Sequence, residues 1–117
     1  MTDKIQTGGI GEKLAAEFLM AKGFKVVARN YRWGKSEIDL IVQQKDWLIF
    51  VEVKTRSSAA WGEPESFVSD LQRRMIYQAA EEYIFKINWQ GNIRFDIVSV
   101  KPGLPPEIVH FEDAISF

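Results

Sequence analysis

An aspartate, a glutamate and a lysine stand in the pattern Asp39-x12-Glu52-x-Lys54, inside two runs otherwise rich in Ile, Val and Leu. Side chains alternate across a strand. In Glu37 to Val42, one face carries Glu37, Asp39 and Ile41, and the other carries Ile38, Leu40 and Val42. In Leu48 to Arg56, one face carries Leu48, Phe50, Glu52, Lys54 and Arg56, and the other Ile49, Val51 and Val53. Each strand therefore has one apolar face and one face that turns charged toward one end. If Lys45 and Asp46 form the turn of a hairpin, Asp39 faces Glu52 and Glu37 faces Lys54. Carboxylates directly opposite each other repel, and a divalent cation between them reverses that. Hard ions such as Mg²⁺ take oxygen ligands, using one or two carboxylates with water and substrate phosphate. The pattern equally fits a solvated rim of charges at two strand ends.

Glu12 adds a third carboxylate. Its helical neighbours are Ala15, Ala16 and Leu19, so it lies on or beside an apolar stripe near the start of a helix. An unpaired carboxylate there is costly to bury. A helix N-terminus offsets some of that cost, and a metal site offsets more.

The elements that must position these groups follow from periodicity. Leu14, Ala15, Phe18 and Leu19 mark a first helix that stops at Gly23, with Gly8, Gly9 and Gly11 as a flexible entry. Phe24 to Arg29 reads as a strand and Asn30 to Lys35 as a loop. Strands follow over Glu37 to Gln43 and Leu48 to Thr55. Arg56 to Pro64 is a polar loop. A long helix runs from about Ser66 to Lys86, capped by Ser66 or Ser69, with Val68, Leu71, Met75, Ala79 and Tyr83 as its stripe. Ile93 to Val100 is a strand, and Ile108 to His110 a short one beyond Pro102, Pro105 and Pro106. The order implies an α/β fold, a mixed sheet flanked by helices, in one domain spanning 1–117.

Composition narrows the chemistry. The 117 residues include no cysteine and one histidine, His110. Disulfides, Cys-based zinc sites and a Cys nucleophile are excluded, and catalysis must rest on carboxylates, lysines or hydroxyls. His110, in a short apolar segment, reads as structural. No apolar run approaches the ~20 residues of a membrane span, and the start lacks a signal-peptide core, so the expectation is a cytoplasmic protein with no membrane association. Net charge is −1, but unevenly spread: Arg29 to Arg56 holds six basic and four acidic residues, whereas the segment from Pro102 holds three acidic and no basic ones. A local basic surface is compatible with that distribution.

Gly11-Glu12, Ala15-Ala16, Phe18-Leu19, Gly23-Phe24, Arg29-Asn30-Tyr31-Arg32, Glu37-Ile38-Asp39-Leu40-Ile41, Phe50-Val51-Glu52-Val53-Lys54-Thr55-Arg56 and Arg94-Phe95-Asp96-Ile97-Val98 occur in an order that resembles the YraN-like family of small bacterial proteins without settled function. That family is similar to the PD-(D/E)xK nucleases, which include restriction endonucleases and Holliday-junction resolvases. The resemblance implies a restriction-endonuclease-like fold, with Asp39 as the motif aspartate, Glu52-Val53-Lys54 as the (D/E)xK element and Glu12 as the helix glutamate near the metal. Three positions depart from the pattern: Ile38 stands in place of Pro, Ser36 in place of Gly, and Leu71 in place of Lys.

On this reading the protein hydrolyses phosphodiester bonds, in DNA by expectation and in branched DNA as one substrate form. Asp39, Glu52 and the Val53 carbonyl would hold Mg²⁺ or Mn²⁺, with Glu12 binding metal or water, and Lys54 would serve the attacking water or the developing charge. Arg29, Arg32, Lys35, Arg56, Arg73 and Arg74 are candidate phosphate contacts. Gln72 shares a helix face with Ile76 and Tyr83 and points at the site. Trp33 and Trp61, in loops beside it, suit base stacking or half-buried packing alike. A homodimer would suit cleavage of both strands. The alternative is a non-catalytic nucleic-acid-binding module on the same fold.

Overall fold

The computed structural model describes residues 3–56 and 68–116. Trp61, Ser66 and most of the expected loop from Arg56 to Pro64 lie outside them. In chain order the elements are α1 (Asp3–Ala21), β1 (Lys25–Trp33), β2 (Ser36–Gln44), β3 (Trp47–Thr55), α2 (Asp70–Ile87), β4 (Asn92–Lys101) and β5 (Glu107–Phe111). The five strands form one sheet in the order β1-β2-β3-β4-β5. Every neighbouring pair is antiparallel except β3–β4, which is parallel. Parallel neighbours need a long crossover, and α2 lies within it. The α/β expectation of a mixed sheet with flanking helices is what the chain forms.

Each face of the sheet has its own core. On one, Ile41, Leu48, Phe50, Phe95 and Ile97 meet Ile76, Ala79, Ala80 and Tyr83 of α2. On the other, Leu40, Val42, Ile49, Val51, Val98 and Val100 meet Ala15, Ala16 and Leu19 of α1. The central strands are thus apolar on both sides, as strands covered by helices on both faces must be. Ile38 breaks the expected alternation. It packs with Ile41 on the α2 side, not with Leu40 and Val42. The slip occurs where β2 has left β3 and pairs with β1 alone.

Three element boundaries differ from the sequence reading, each for a local reason. Gly8, Gly9 and Gly11 are inside α1, not a flexible entry to it. A Cβ on Gly11 would overlap Thr55 Oγ1, so the missing side chain is what lets α1 lie against the end of β3. The segment read as a loop from Asn30 is mostly strand: Tyr31, Arg32 and Trp33 pair with Ile38, Glu37 and Ser36 across a tight turn at Gly34, whose φ is +62°. A bulge between Val26 and Ala28, and left-handed backbone at Asn30, hide the period there. Helix α2 starts later than expected. Ser69 is its N-cap, with Oγ accepting from the Gln72 N–H at 3.1 Å. That start turns Leu71 outward, 62% exposed, and places Ile76, Ala79, Ala80 and Tyr83 against the sheet.

At the far side of the sheet Asp96 is fully buried and fully engaged. Arg94 grips it bidentately at 2.9 and 3.0 Å, His110 Nε2 lies 2.7 Å from Oδ2, and the Asp113 N–H donates to Oδ1. His110 is packed edge-on by Phe18 and Phe24. Among the described residues, no helix is long and apolar enough to cross a membrane.

Candidate active site

The β2–β3 ladder runs from Gln44–Trp47 to Leu40–Val51, the register expected for a turn at Lys45-Asp46. It ends one residue short of Asp39 and Glu52. There the strands are linked instead by a side chain: the Val53 N–H donates to Asp39 Oδ2 at 2.8 Å. Glu37 does not face Lys54 as the extended hairpin would have it. It pairs across β1–β2 with Arg32, whose Nε lies 3.2 Å from its carboxylate.

Asp39 and Glu52 are brought together, each only 9% exposed, and the Glu52 charge acts on the Asp39 carboxyl. Glu52 is further anchored by α2. Gln72 Nε2 donates to its Oε2 at 2.7 Å. Lys54 Nζ lies 3.2 Å from the same oxygen and 3.4 Å from Gln72 Oε1. The Ser69 cap places Gln72 in the first turn of α2, where its side chain reaches β3. Glu52, Lys54 and Gln72 therefore form a closed triangle beside Asp39.

Burial dominates the electrostatics. Desolvation, with the Glu52 charge alongside and Glu12 and Glu37 beyond it, pushes the Asp39 carboxyl up to about 8 despite the Val53 hydrogen bond. Desolvation also raises Glu52, while Lys54, Asp39 and Gln72 act against that rise. Burial and the facing charge both favour the protonated form of Asp39. Two buried carboxyls whose charges oppose each other would be relieved by a divalent cation. Among the described residues no group of three or more Asp, Glu, His or Cys side chains is arranged to hold an ion. The donors present are two carboxyls and neighbouring backbone. That set fits Mg²⁺, which keeps several waters, and not an all-protein cage.

Glu12 lies close enough to Asp39 to act on it electrostatically but is not a third ligand of the pair. It is half-buried, and its Oε1 accepts from Asn30 Nδ2 at 2.8 Å. Asn30 is a residue that the sequence reading passed over. Its signal there was its place in the Arg29-Asn30-Tyr31-Arg32 run.

The candidate phosphate contacts divide into two groups. Arg29, Arg32 and Lys35 are exposed along the β1–β2 hairpin, with Trp33 45% exposed among them. Arg56 is half-buried at the end of β3, where its N–H donates to the Val100 carbonyl. On α2, Arg73 is held by Asp70 at 3.2 Å, and Arg73 and Arg74 line a groove with Tyr77 and Gln78. That groove lies on α2 and not over Asp39 and Glu52, so the carboxyl pair is identified by its chemistry and not by cavity shape.

A mixed five-stranded sheet carrying a buried Asp–Glu pair, with a lysine two residues after the glutamate, defines the class: an α/β protein with a carboxylate–lysine centre at one end of its sheet. The chain belongs to the uncharacterised protein family UPF0102, the YraN family, whose model matches residues 11–100. A UPF0102 protein of Cytophaga hutchinsonii is 44% identical over 98 residues, spanning 84% of this chain and 87% of the relative. One of Solibacter usitatus is 48% identical over 105 residues, spanning 86% and 79%. One of Christiangramia forsetii is 34% identical over 118 residues, spanning 100% and 99%. Among solved structures, Pyrococcus furiosus SfsA in complex with Ca²⁺ is 14% identical with a TM-score of 0.38, over 98% of this chain and 66% of that one. That likeness is too distant to carry any argument.

Proposed function

We propose that the protein is a metal-dependent nuclease that hydrolyses phosphodiester bonds in DNA, using Mg²⁺ or Mn²⁺ between Asp39 and Glu52. The observation that carries this reading is the buried Asp39–Glu52 pair at the strand end, with Lys54 3.2 Å from Glu52. Two desolvated carboxyls in contact are an unfavourable arrangement for a scaffold with no use for them.

A divalent cation bound there supplies charge to polarise the phosphoryl oxygen and to lower the pKa of water. The rest falls to side chains of this chain. Asp39, fixed by the Val53 N–H, and Glu52, fixed by Gln72, present carboxylate oxygens without needing to reorganise. The Val53 carbonyl is the third proposed ligand. Lys54 places a positive charge next to the pair, where negative charge develops on the transferred phosphoryl group. Glu12 orients water at the edge of the site. Arg29, Arg32 and Lys35 on the hairpin, Arg56 at the strand end and Arg73 and Arg74 on α2 are the proposed phosphate contacts.

The test is a panel of duplex, single-stranded, flap and four-way-junction DNA in Mg²⁺ and in Mn²⁺. The expected result is nicking or cleavage of at least one form, abolished in Glu52→Ala and Lys54→Ala while binding persists. Binding without cleavage throughout would replace this reading with a non-catalytic nucleic-acid-binding module. Neither binding nor cleavage would overturn both. Cleavage that survives in Glu52→Ala would identify a contaminating nuclease.

A further inference from the structure

Asn30 is the least expected residue near the carboxyl pair. Its φ is +49°, a left-handed backbone in the middle of a strand. Residues other than glycine seldom adopt it, although Asn tolerates it better than most. Such backbone persists where the surroundings over-determine it, and it concentrates at functional sites. The flanking pairs of the β1–β2 ladder are Arg29–Leu40 and Tyr31–Ile38. Asn30 therefore lies opposite Asp39. Its side chain does not stay on the sheet. Nδ2 reaches across to α1 and donates to Glu12 Oε1 at 2.8 Å.

Two features of α1 meet this contact. Glu12 directly follows Gly11, where the absence of a Cβ lets the helix approach Thr55, the residue after Lys54. Glu12 in turn lies near enough to Asp39 for its charge to act on that carboxyl. A long, flexible glutamate at that place would be repelled toward solvent by the Asp39–Glu52 pair. The amide of Asn30 opposes that escape from the β1 position that faces Asp39.

We propose that Asn30 is a positioning residue: by donating to Glu12 it holds that carboxylate toward the Asp39–Glu52 centre and so tunes how the centre binds a divalent cation, an inference that rests on the metal reading above. The left-handed backbone is part of the device, because it aims the amide at α1 while Asp39 continues the neighbouring strand.

Asn30→Gly is the informative substitution, since glycine accepts the left-handed backbone and removes only the amide. Its melting temperature should stay within a few degrees of wild type. Mn²⁺ affinity measured by calorimetry in wild type, Asn30→Gly, Glu12→Ala and the double variant should show a loss of about tenfold in Asn30→Gly, the scale seen for partners that orient metal ligands. In the Glu12→Ala background, Asn30→Gly should add nothing. Asn30→Asp, which sets a carboxylate against Glu12, should lose at least as much as Asn30→Gly. Unchanged affinity in Asn30→Gly, or an equal loss with and without Glu12, would overturn the proposal. If wild type binds no Mn²⁺, the metal reading fails by itself. Crystal structures of the metal-free proteins then decide the role of Asn30: Glu12 should face Asp39 in wild type and turn to solvent in Asn30→Gly. A Glu12 that holds its place without the amide would refute it.

Discussion

The Asp39 carboxyl on β2 accepts a 2.8 Å hydrogen bond from the Val53 N–H on β3, one residue beyond the last main-chain pair of those strands. A side chain thus continues the ladder that the backbone abandons. It also fixes Asp39 against the peptide between Glu52 and Lys54, so all three groups of the proposed centre are set by one strand end. Replacing Asp39 therefore touches fold and chemistry together, and the predictions below are chosen to separate them.

The pH dependence of stability isolates the carboxyl pair. Asp39 titrates near 8 in the folded protein and near its ordinary value of 3.8 when unfolded. Between those values the folded state binds more protons than the unfolded one, so stability falls as pH rises from about 4 to about 8, then levels. Melting temperatures of metal-free wild type from pH 5 to pH 9 should decline across that window. Asp39→Asn keeps an acceptor for Val53 and cannot ionise, so its decline should be shallower. Parallel curves for the two proteins would show that Asp39 does not hold the proton.

Asp96 should behave in the opposite sense. Burial works against its charge, but the hydrogen bonds from His110, Arg94 and the Asp113 N–H prevail and hold its carboxyl below the usual range. Its contribution is present above the unfolded carboxylate range and lost as pH falls through the folded value. Asp96→Ala leaves Arg94 and His110 without their shared partner and should cost about 3–5 kcal/mol by denaturant unfolding, the scale for breaking a buried ion pair.

Gly11 should tolerate no side chain while Thr55 keeps its hydroxyl. Gly11→Ala places a Cβ against Thr55 Oγ1 and should destabilise by roughly 1–3 kcal/mol, the range for overpacking. Adding Thr55→Ala should recover part of that loss. Denaturant midpoints of the single and double variants measure it.

The sheet was largely legible in the sequence because its central strands announce themselves. Leu48 to Val51 and Leu40 to Val42 are apolar on both faces, and Lys45-Asp46 set the hairpin register. The Asp39–Glu52 meeting followed from that register. What escaped were features that depend on contacts between distant segments. Gly11 looks like a helix breaker until Thr55 is seen behind it. The strand through Tyr31 and Trp33 was masked by a bulge and by the left-handed Asn30. Of the stripe expected for α2, Val68, Ala79 and Tyr83 are buried, but Leu71 is apolar yet exposed, and no local signal says so. The Asn30–Glu12 contact joins residues 18 apart on different elements, and no periodicity rule reaches that far.

Gln72 should separate positioning from ligation. It donates to Glu52 and accepts from Lys54, but the proposed ligands remain when it is removed. Gln72→Ala should reduce cleavage by about 10- to 100-fold, as loss of a partner that orients a metal ligand does, with a melting temperature near wild type. Full activity in a steady-state assay would show that the triangle with Lys54 is not needed.

The central claim is that Asp39 and Glu52 share a divalent cation. Crystals of wild type and Glu52→Gln soaked in millimolar Mn²⁺, with data collected to reveal anomalous scattering from manganese, test it directly. The account requires an anomalous peak between the two carboxyls in wild type, within ligand distance of both, and its loss or marked weakening in Glu52→Gln. A wild-type site with no peak between the two carboxyls would contradict it.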